Sequence, residues 1–369
     1  MTILDLALAL TPHLGVKGTK HLLECFGSAE RIFSCSEGEL RGEASLREEA
    51  LKGILSRVAM RSAERELDHL QRNGLWALAS TDEEYPALLR EVNDNPHILY
   101  GMGDREVLRG PMLSMVGTRE QSPYGERVCR YLIEGLAERI PNLVIVSGLA
   151  FGIDGVCHRL ALECGLRTVA VVANPLPGVT PTQHSHLARE IMERGGAILS
   201  ELPSSTKQKG VFYVARNRII AALSEGTVVV ESPATGGALL TAQYADGYNR
   251  TVMAVPGRVG DRTALGPNLL IRNRKAQMVL SAEDIVRELM WDLNLEQEYI
   301  PPKRAEVEPL TPDEEGLLGC FRSDDPLTFA ELVELSSLEP ASLNALLVGL
   351  ELSGAIRQLP GNRYEKLRR

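Results

Sequence analysis

A chain of 369 residues exceeds one ordinary core, so two or three domains are expected. The composition is globular, 44% hydrophobic and 24% charged, and no apolar run nears the roughly 18 residues that a membrane span requires. A net charge of −9 argues against a surface that coats nucleic acid indiscriminately, but leaves room for a local basic pocket.

Met1 to Leu10 has neither a basic n-region nor a small-residue cleavage signal, and reads as a helix. Residues 1–70 as a whole read as a small helical domain. Its Gly-punctuated turn, Thr11 to Gly18, resembles those of SAM and helix-hairpin-helix modules, whose turn amides can meet a nucleic-acid phosphate. A plain packing domain is equally open, since Lys17 and Lys20 are the basic residues near the turn. Phe26-Gly27-Ser28 stops one helix and starts the next.

Trp76 to Ala79 and Ile98 to Tyr100 read as short strands that extend the sheet to follow. Residues 75–290 read as one extended domain, and residues 111–290 of it carry the strongest pattern. Strands are predicted at Leu113–Gly117, Leu143–Ser147, Thr168–Ala173, Ala197–Ser200, Thr227–Glu231 and Thr251–Val255. Helices are predicted at Gly125–Arg139, Ile153–Cys164, Gln183–Glu193, Arg216–Leu223 and Ala238–Asp246. Apolar strands alternating with helices at this spacing imply an extended Rossmann-like parallel sheet in an α/β fold. Residues 292–312 read as a linker. Residues 313–369 read as a C-terminal winged helix, with helices from Pro326 and Glu339 and a wing around Pro360-Gly361-Asn362. Its presumed recognition helix, Ala341 to Leu352, has no Lys or Arg, which favours a protein contact over duplex reading.

The chemistry is expected beyond the strand ends, where open sheets bind ligands. Gly117, Thr118 and Arg119 leave the first strand of the alternating region and lead into a helix start at Ser122 to Gly125. Free amides there and the Arg119 guanidinium suit a phosphate; the competing reading pairs Arg119 with a carboxylate. Ser147 and Gly148 bracket the next turn with Gly152 and Asp154, and Asp154 reads as a helix cap. Ser147 has no base beside it, so covalent catalysis is not expected. Arg216, Asn217 and Arg218 are expected at a helix start, placed to hold backbone phosphates, with Phe212 or Tyr213 able to stack on a base. Thr235, Gly236 and Gly237 can form an anion nest or a plain tight turn. There is no P-loop lysine and no dinucleotide fingerprint, so no cofactor is expected.

Scattered cysteines without a CxxC pair read as reduced thiols of the cytoplasm. The seven histidines lack metal-ligand spacing, and His184 and His186 read as solvent-facing rather than as ligands.

These motifs together resemble the DNA-processing protein A (DprA/Smf) family. The resemblance rests on Val116-Gly117-Thr118-Arg119, Ser147-Gly148-Leu149-Ala150 with Gly152-Ile153-Asp154, Arg216-Asn217-Arg218-Ile219-Ile220-Ala221, Ala254-Val255-Pro256-Gly257 and Gly266-Pro267-Asn268-Leu269. It implies a non-enzymatic single-stranded DNA-binding protein that protects incoming DNA during natural transformation. It further implies a homodimer that loads the RecA recombinase, with Arg119 and Arg216 to Arg218 lining the strand pocket. The chain departs from the pattern at Phe151 and Ala215, where arginines are frequent, at Ala173-Asn174-Pro175, and at Asn273-Arg274. Arg272 and Arg274 would compensate if they faced the same crevice. The alternative function is a nucleotide-processing enzyme of phosphoribohydrolase type, with Glu231 as acid or base.

Overall fold

The computed structural model describes residues 1–43, 46–207, 209–291, 311–321, 326–352, 355–359 and 361–367. The chain divides into two compact units, 1–295 and 296–369.

The first unit opens with six helices: α1 (Ile3–Ala9), α2 (Gly15–Phe26), α3 (Ala29–Ser34), α4 (Glu37–Glu43), α5 (Glu48–Leu55) and α6 (Met60–Arg72). Thr2 caps α1 in a reciprocal box with Asp5. Gly27, at φ 84°, ends α2, and the Ser28 side chain caps α3, as the Phe26-Gly27-Ser28 text predicts.

The alternating part follows as β1 (Trp76–Ala79), α7 (Ala87–Glu91), β2 (Ile98–Gly103), β3 (Met112–Val116), α8 (Pro123–Arg139), β4 (Val144–Ser147), α9 (Ile153–Glu163) and β5 (Arg167–Val171). It continues as α10 (Ser185–Glu193), β6 (Ala197–Ser200), α11 (Val211–Leu223), β7 (Gly226–Val229), α12 (Gly237–Gly247), β8 (Thr251–Ala254), α13 (Leu265–Arg272), β9 (Gln277–Met278) and α14 (Ala282–Glu288). One nine-stranded sheet runs β1-β2-β6-β5-β4-β3-β7-β8-β9. All pairs from β6 to β9 in that order are parallel, while β1 and β2 add an antiparallel edge. The β1–β2 pair therefore extends the sheet, as expected from the sequence.

Strands β3, β4 and β7 are buried at every residue, which explains their unbroken apolar text. Helices α8, α9 and α14 cover one face through Leu132, Ile133, Leu160 and Ile285. Helices α11 and α12 cover the other through Ile219, Ala222 and Ala242. The N-terminal helices share a third core with residues of β2, β6 and α10, including Leu6, Leu22, Tyr100, Ile191 and Ile198.

One boundary differs in a way that matters for function. Helix α11 begins at Val211, five residues before the predicted start at Arg216. The Phe212-Tyr213-Val214-Ala215 stretch is about one turn of helix rather than a loop.

The second unit holds α15 (Pro312–Gly319), β10 (Leu327–Thr328), α16 (Phe329–Ser336), α17 (Pro340–Leu352), β11 (Ile356–Leu359) and β12 (Arg363–Lys366). Leu317, Leu332, Leu343, Leu347 and Tyr364 form its core. The wing contains the two predicted strands plus β10, in the order β10-β12-β11. Residues 292–310 of the predicted linker, and Pro360 of the wing turn, lie outside the described residues.

Candidate nucleic-acid interface

Chain order places a crossing point in the sheet. From β3 the chain moves outward through β4, β5 and β6, then returns to lay β7 on the other side of β3. Loops leaving β3 and β7 diverge there and open a crevice beyond the strand ends. A cavity of about 260 Å³ occupies that place.

Its walls come from four segments. Gly117, Thr118 and Arg119 follow β3, while Ala150 and Asp154 follow β4. Tyr213, Arg216, Asn217 and Ile220 present one face of α11, at a spacing of three to four residues. Gly236, Gly237 and Thr241 belong to the start of α12.

Arg119 is exposed, and its guanidinium carbon lies 5.4 Å from the Tyr213 ring centroid. That distance is within cation–π range. No ion pair of Arg119 with a carboxylate occurs among the described residues. Arg216 differs: it is 5% exposed, and its Nη1 donates to the Val171 carbonyl. Its Nε has no hydrogen-bond partner among the described residues. Burial pulls the Arg216 guanidinium below its usual range, the Asp154 charge pulls it back, and Arg119 adds repulsion.

Asp154 follows the turn after β4. It sits at the second position of α9, whose N-cap residue is Gly152, and no side chain caps that helix, contrary to the predicted capping role. Burial pushes its carboxyl up, opposed first by Arg216. Asp154 is thus committed to the protein, leaving Arg119 as the solvent-facing charge of the cavity. Gly152 completes the turn at φ 82°, where a β-carbon would come within 2.1 Å of the Thr118 carbonyl.

The anion site predicted at the start of α8 is already filled. Glu231 accepts from the Ser122 backbone N–H at 2.9 Å, from the Ser122 hydroxyl at 2.5 Å and from the Thr263 hydroxyl at 3.1 Å. Its oxygens would sit 2.2 Å from a β-carbon on Gly125. An internal carboxylate complements that helix end. The helix start facing the cavity is that of α12, where Gly236 is the N-cap residue and no side chain caps it. Glu231 does not line the cavity, which removes the proposed acid or base of the nucleotide-processing alternative.

The other predicted residues fall as follows. Ser147 is fully buried and donates to the Met115 carbonyl at 2.6 Å. Gly148 lies beneath Arg216 rather than on the wall. Thr235 is exposed just outside the wall formed by Gly236. Phe212 is half-buried and does not line the cavity; its neighbour Tyr213 is the aromatic there.

Arg218 requires a correction. It pairs with Glu201, donates to the Asp94 carbonyl at 2.5 Å, and borders a separate cavity beside Gly15 and Arg47. Two positions along a helix turn the side chain by roughly 200°, so Arg216 and Arg218 cannot share one wall. The prediction treated this stretch as a loop entering a helix, where both arginines could converge. His184 is half-buried, not solvent-facing as predicted, and is hydrogen-bonded through Nδ1 to the Leu149 carbonyl at 2.9 Å. Among the described residues no cluster of His, Cys, Asp and Glu could hold a metal ion, and no helix is long and apolar enough to cross a membrane.

Comparison with known proteins gives the family. Residues 76–290 match the family model of DNA recombination-mediator protein A. The chain belongs to that family. Residues 301–362 match its DprA winged helix domain. Protein Smf of Escherichia coli K12 is 34% identical over 315 residues, covering 84% of this chain and 82% of that protein. The DNA processing protein DprA of Bacillus subtilis is 37% identical over 220 residues, 59% of this chain and 73% of its own. Among solved structures, DprA from Streptococcus pneumoniae matches with a TM-score of 0.66 at 28% identity, over 78% of this chain and 98% of that one. DNA processing protein A from Helicobacter pylori, described for its single-stranded DNA binding mode, matches with a TM-score of 0.52 at 27% identity, over 59% and 96%.

Against the family pattern read from the sequence, Phe151 and Ala215 lie off the Arg119 cavity, and so do Arg272 and Arg274. The two late arginines therefore do not replace charge in it.

Proposed function

We propose that this protein binds single-stranded DNA in the Arg119–Tyr213 cavity. The observation that carries the reading is the convergence of one unpaired guanidinium, one aromatic ring and one uncapped helix start at the crossing point of the sheet. A phosphate meets Arg119 and the α12 amides, and a base meets the Tyr213 ring. A cavity of about 260 Å³ is on the scale of a single base or phosphate, which favours an unpaired strand. The Helicobacter pylori relative, whose published description concerns single-stranded DNA binding, supports the assignment.

Family membership extends the proposal. The protein protects incoming DNA in the cytoplasm during natural transformation, acts as a homodimer, and hands the strand to the RecA recombinase. Two copies would bring two cavities to one strand and raise avidity without new contacts. Gly117, Thr118, Arg119, Arg216, Asn217, Gly236 and Gly237 form the proposed contact set. Arg218, Ser147, Gly148, Phe212 and Thr235 act by support.

A salt-dependent titration with single-stranded and duplex DNA tests the reading. Single strands are expected to bind more tightly, with affinity falling linearly in log salt. Equal affinity for duplex would refute it.

A further inference from the structure

A second cavity, of about 560 Å³, adjoins the first at Arg119. Arg119 lines both. The new walls are Phe151, Gly152 and Gly155 on one side and Gln183, His184 and His186 on another. Phe151 is one of the chain's departures from the family pattern, and it does not line the Arg119–Tyr213 cavity.

Phe151 is a large aromatic left 45% exposed on a rigid turn. The rigidity has identifiable causes. Gly152, next in the chain, packs against the backbone of Thr118 and Arg119, so closely that a β-carbon there would lie 2.6 Å from the Arg119 Cα. His184 meets the Phe151 ring edge-on, with centroids 5.1 Å apart and planes at 69°. His184 is itself fixed by its bond to the Leu149 carbonyl and by its seat over Gly155. An aromatic held this firmly, half open to solvent, loses little entropy when a flat partner stacks on it.

The charges around the ring are already paired, apart from Arg119. Arg159 bonds Glu126 at 2.7 Å, and Glu190 pairs with Arg194 at 3.2 Å. What remains is an open ring, two histidines, two glutamines and one shared guanidinium. That combination suits a base on the ring with its phosphate on Arg119.

We propose that the bound single strand continues past Arg119, and that Phe151, backed by His184, stacks one of its bases in this second cavity. The inference rests on the reading of Arg119 as a phosphate contact. It adds a base-stacking subsite next to the first, carried by a position where this chain departs from the family pattern read from the sequence.

The test uses the full chain and two fluorescent probes of equal length: oligothymidylate and a strand of abasic sites. Phe151→Ala is expected to weaken oligothymidylate about tenfold, within the range of one lost base stack, and to leave the abasic strand unchanged. Phe151→Trp is expected to restore binding, and Phe151→Leu is not. Arg119→Ala is expected to weaken both probes. If Phe151→Ala leaves oligothymidylate unchanged while Arg119→Ala weakens it, the stacking subsite is refuted and the first cavity stands. Equal weakening of both probes by Phe151→Ala also refutes stacking. If Arg119→Ala changes neither probe, the strand-binding reading itself fails. Because Phe151 is outside the core, a melting curve matching the wild type is expected for each of its variants.

Discussion

Arg216 Nη1 lies where a β-carbon on Gly148 would come within 2.1 Å of it. The guanidinium is packed on the bare backbone of the turn after β4, and its bond to the Val171 carbonyl leaves it no retreat. Gly148→Ala is therefore an overpacking substitution, expected to cost about 1–3 kcal/mol. It should also displace Arg216 from the cavity wall and weaken strand binding. Urea denaturation checks the first effect, and an unchanged midpoint would mean that the arginine can move aside.

Arg218 and Glu201 form a pair that is 10% and 14% exposed. Burial pushes the Glu201 carboxyl up, and Arg218 is the main force holding it down. Arg218→Ala leaves a buried carboxylate without its partner, which typically costs about 3–5 kcal/mol. A carboxyl whose folded pKa lies above its unfolded value destabilises the protein at higher pH, and that penalty fades as the group protonates. The loss in Arg218→Ala should therefore shrink on acidification and be largely absent in Glu201→Gln/Arg218→Ala. Strand affinity per folded molecule should stay at the wild-type level. A fall in affinity with stability intact would return Arg218 to the binding site.

The two arginines also show what the sequence could reveal. Strands β3 to β8 were legible because nearly all their residues are buried, on both faces of the sheet, and most are apolar; β9, exposed at both residues, gave no such signal. The crevice followed from glycines at strand ends. The direction of Arg216 against Arg218 was not legible, because it depends on where α11 begins. Phe212 and Tyr213 gave no turn signal to distinguish helix from loop, and the residues of its first turn, Val211 to Val214, bury little surface. Glu231 illustrates a second limit. A carboxylate near Gly-rich loops suits an acid, a metal ligand or a helix-end tie, and the choice depends on Ser122 and Thr263, distant in sequence. Tyr213 was visible as one of two candidate rings. Its selection over Phe212 again follows from helical phase.

His158 sets an acid limit on stability. It is fully buried, and its Nδ1–H donates to the Thr168 hydroxyl at 2.6 Å, which in turn donates to the Ile145 carbonyl. Burial depresses the imidazole to about 3 from an ordinary 6.5, with His184 and Arg216 adding repulsion. The unfolded chain thus takes up a proton that the native state refuses. Its contribution is intact above pH 6.5 and is lost as pH falls toward 3, at up to about 1.4 kcal/mol per unit. His158→Gln removes the titrating group and should flatten that part of the stability profile, even if it lowers stability at pH 7. Urea midpoints at pH 7, 6 and 5 measure both slopes, and parallel slopes would show that His158 is not the group responsible.

Arg119 separates charge from shape in the proposed site. Each phosphate neutralised on a single strand contributes about 0.7 to the slope of log affinity against log salt. Arg119→Ala should lower the slope by about that amount and weaken all sequences alike, because a phosphate contact carries no base information. Arg119→Lys keeps the charge and should keep the slope. It gives up the planar fork and much of the contact over the Tyr213 ring, 5.4 Å below the guanidinium, so affinity should still fall. Tyr213→Ala should show the converse: an unchanged slope with lower affinity at every salt concentration. If Arg119→Lys lost the slope as fully as Arg119→Ala, charge alone would not explain the contact. If Tyr213→Ala changed the slope, the ring would be positioning Arg119 instead of meeting a base.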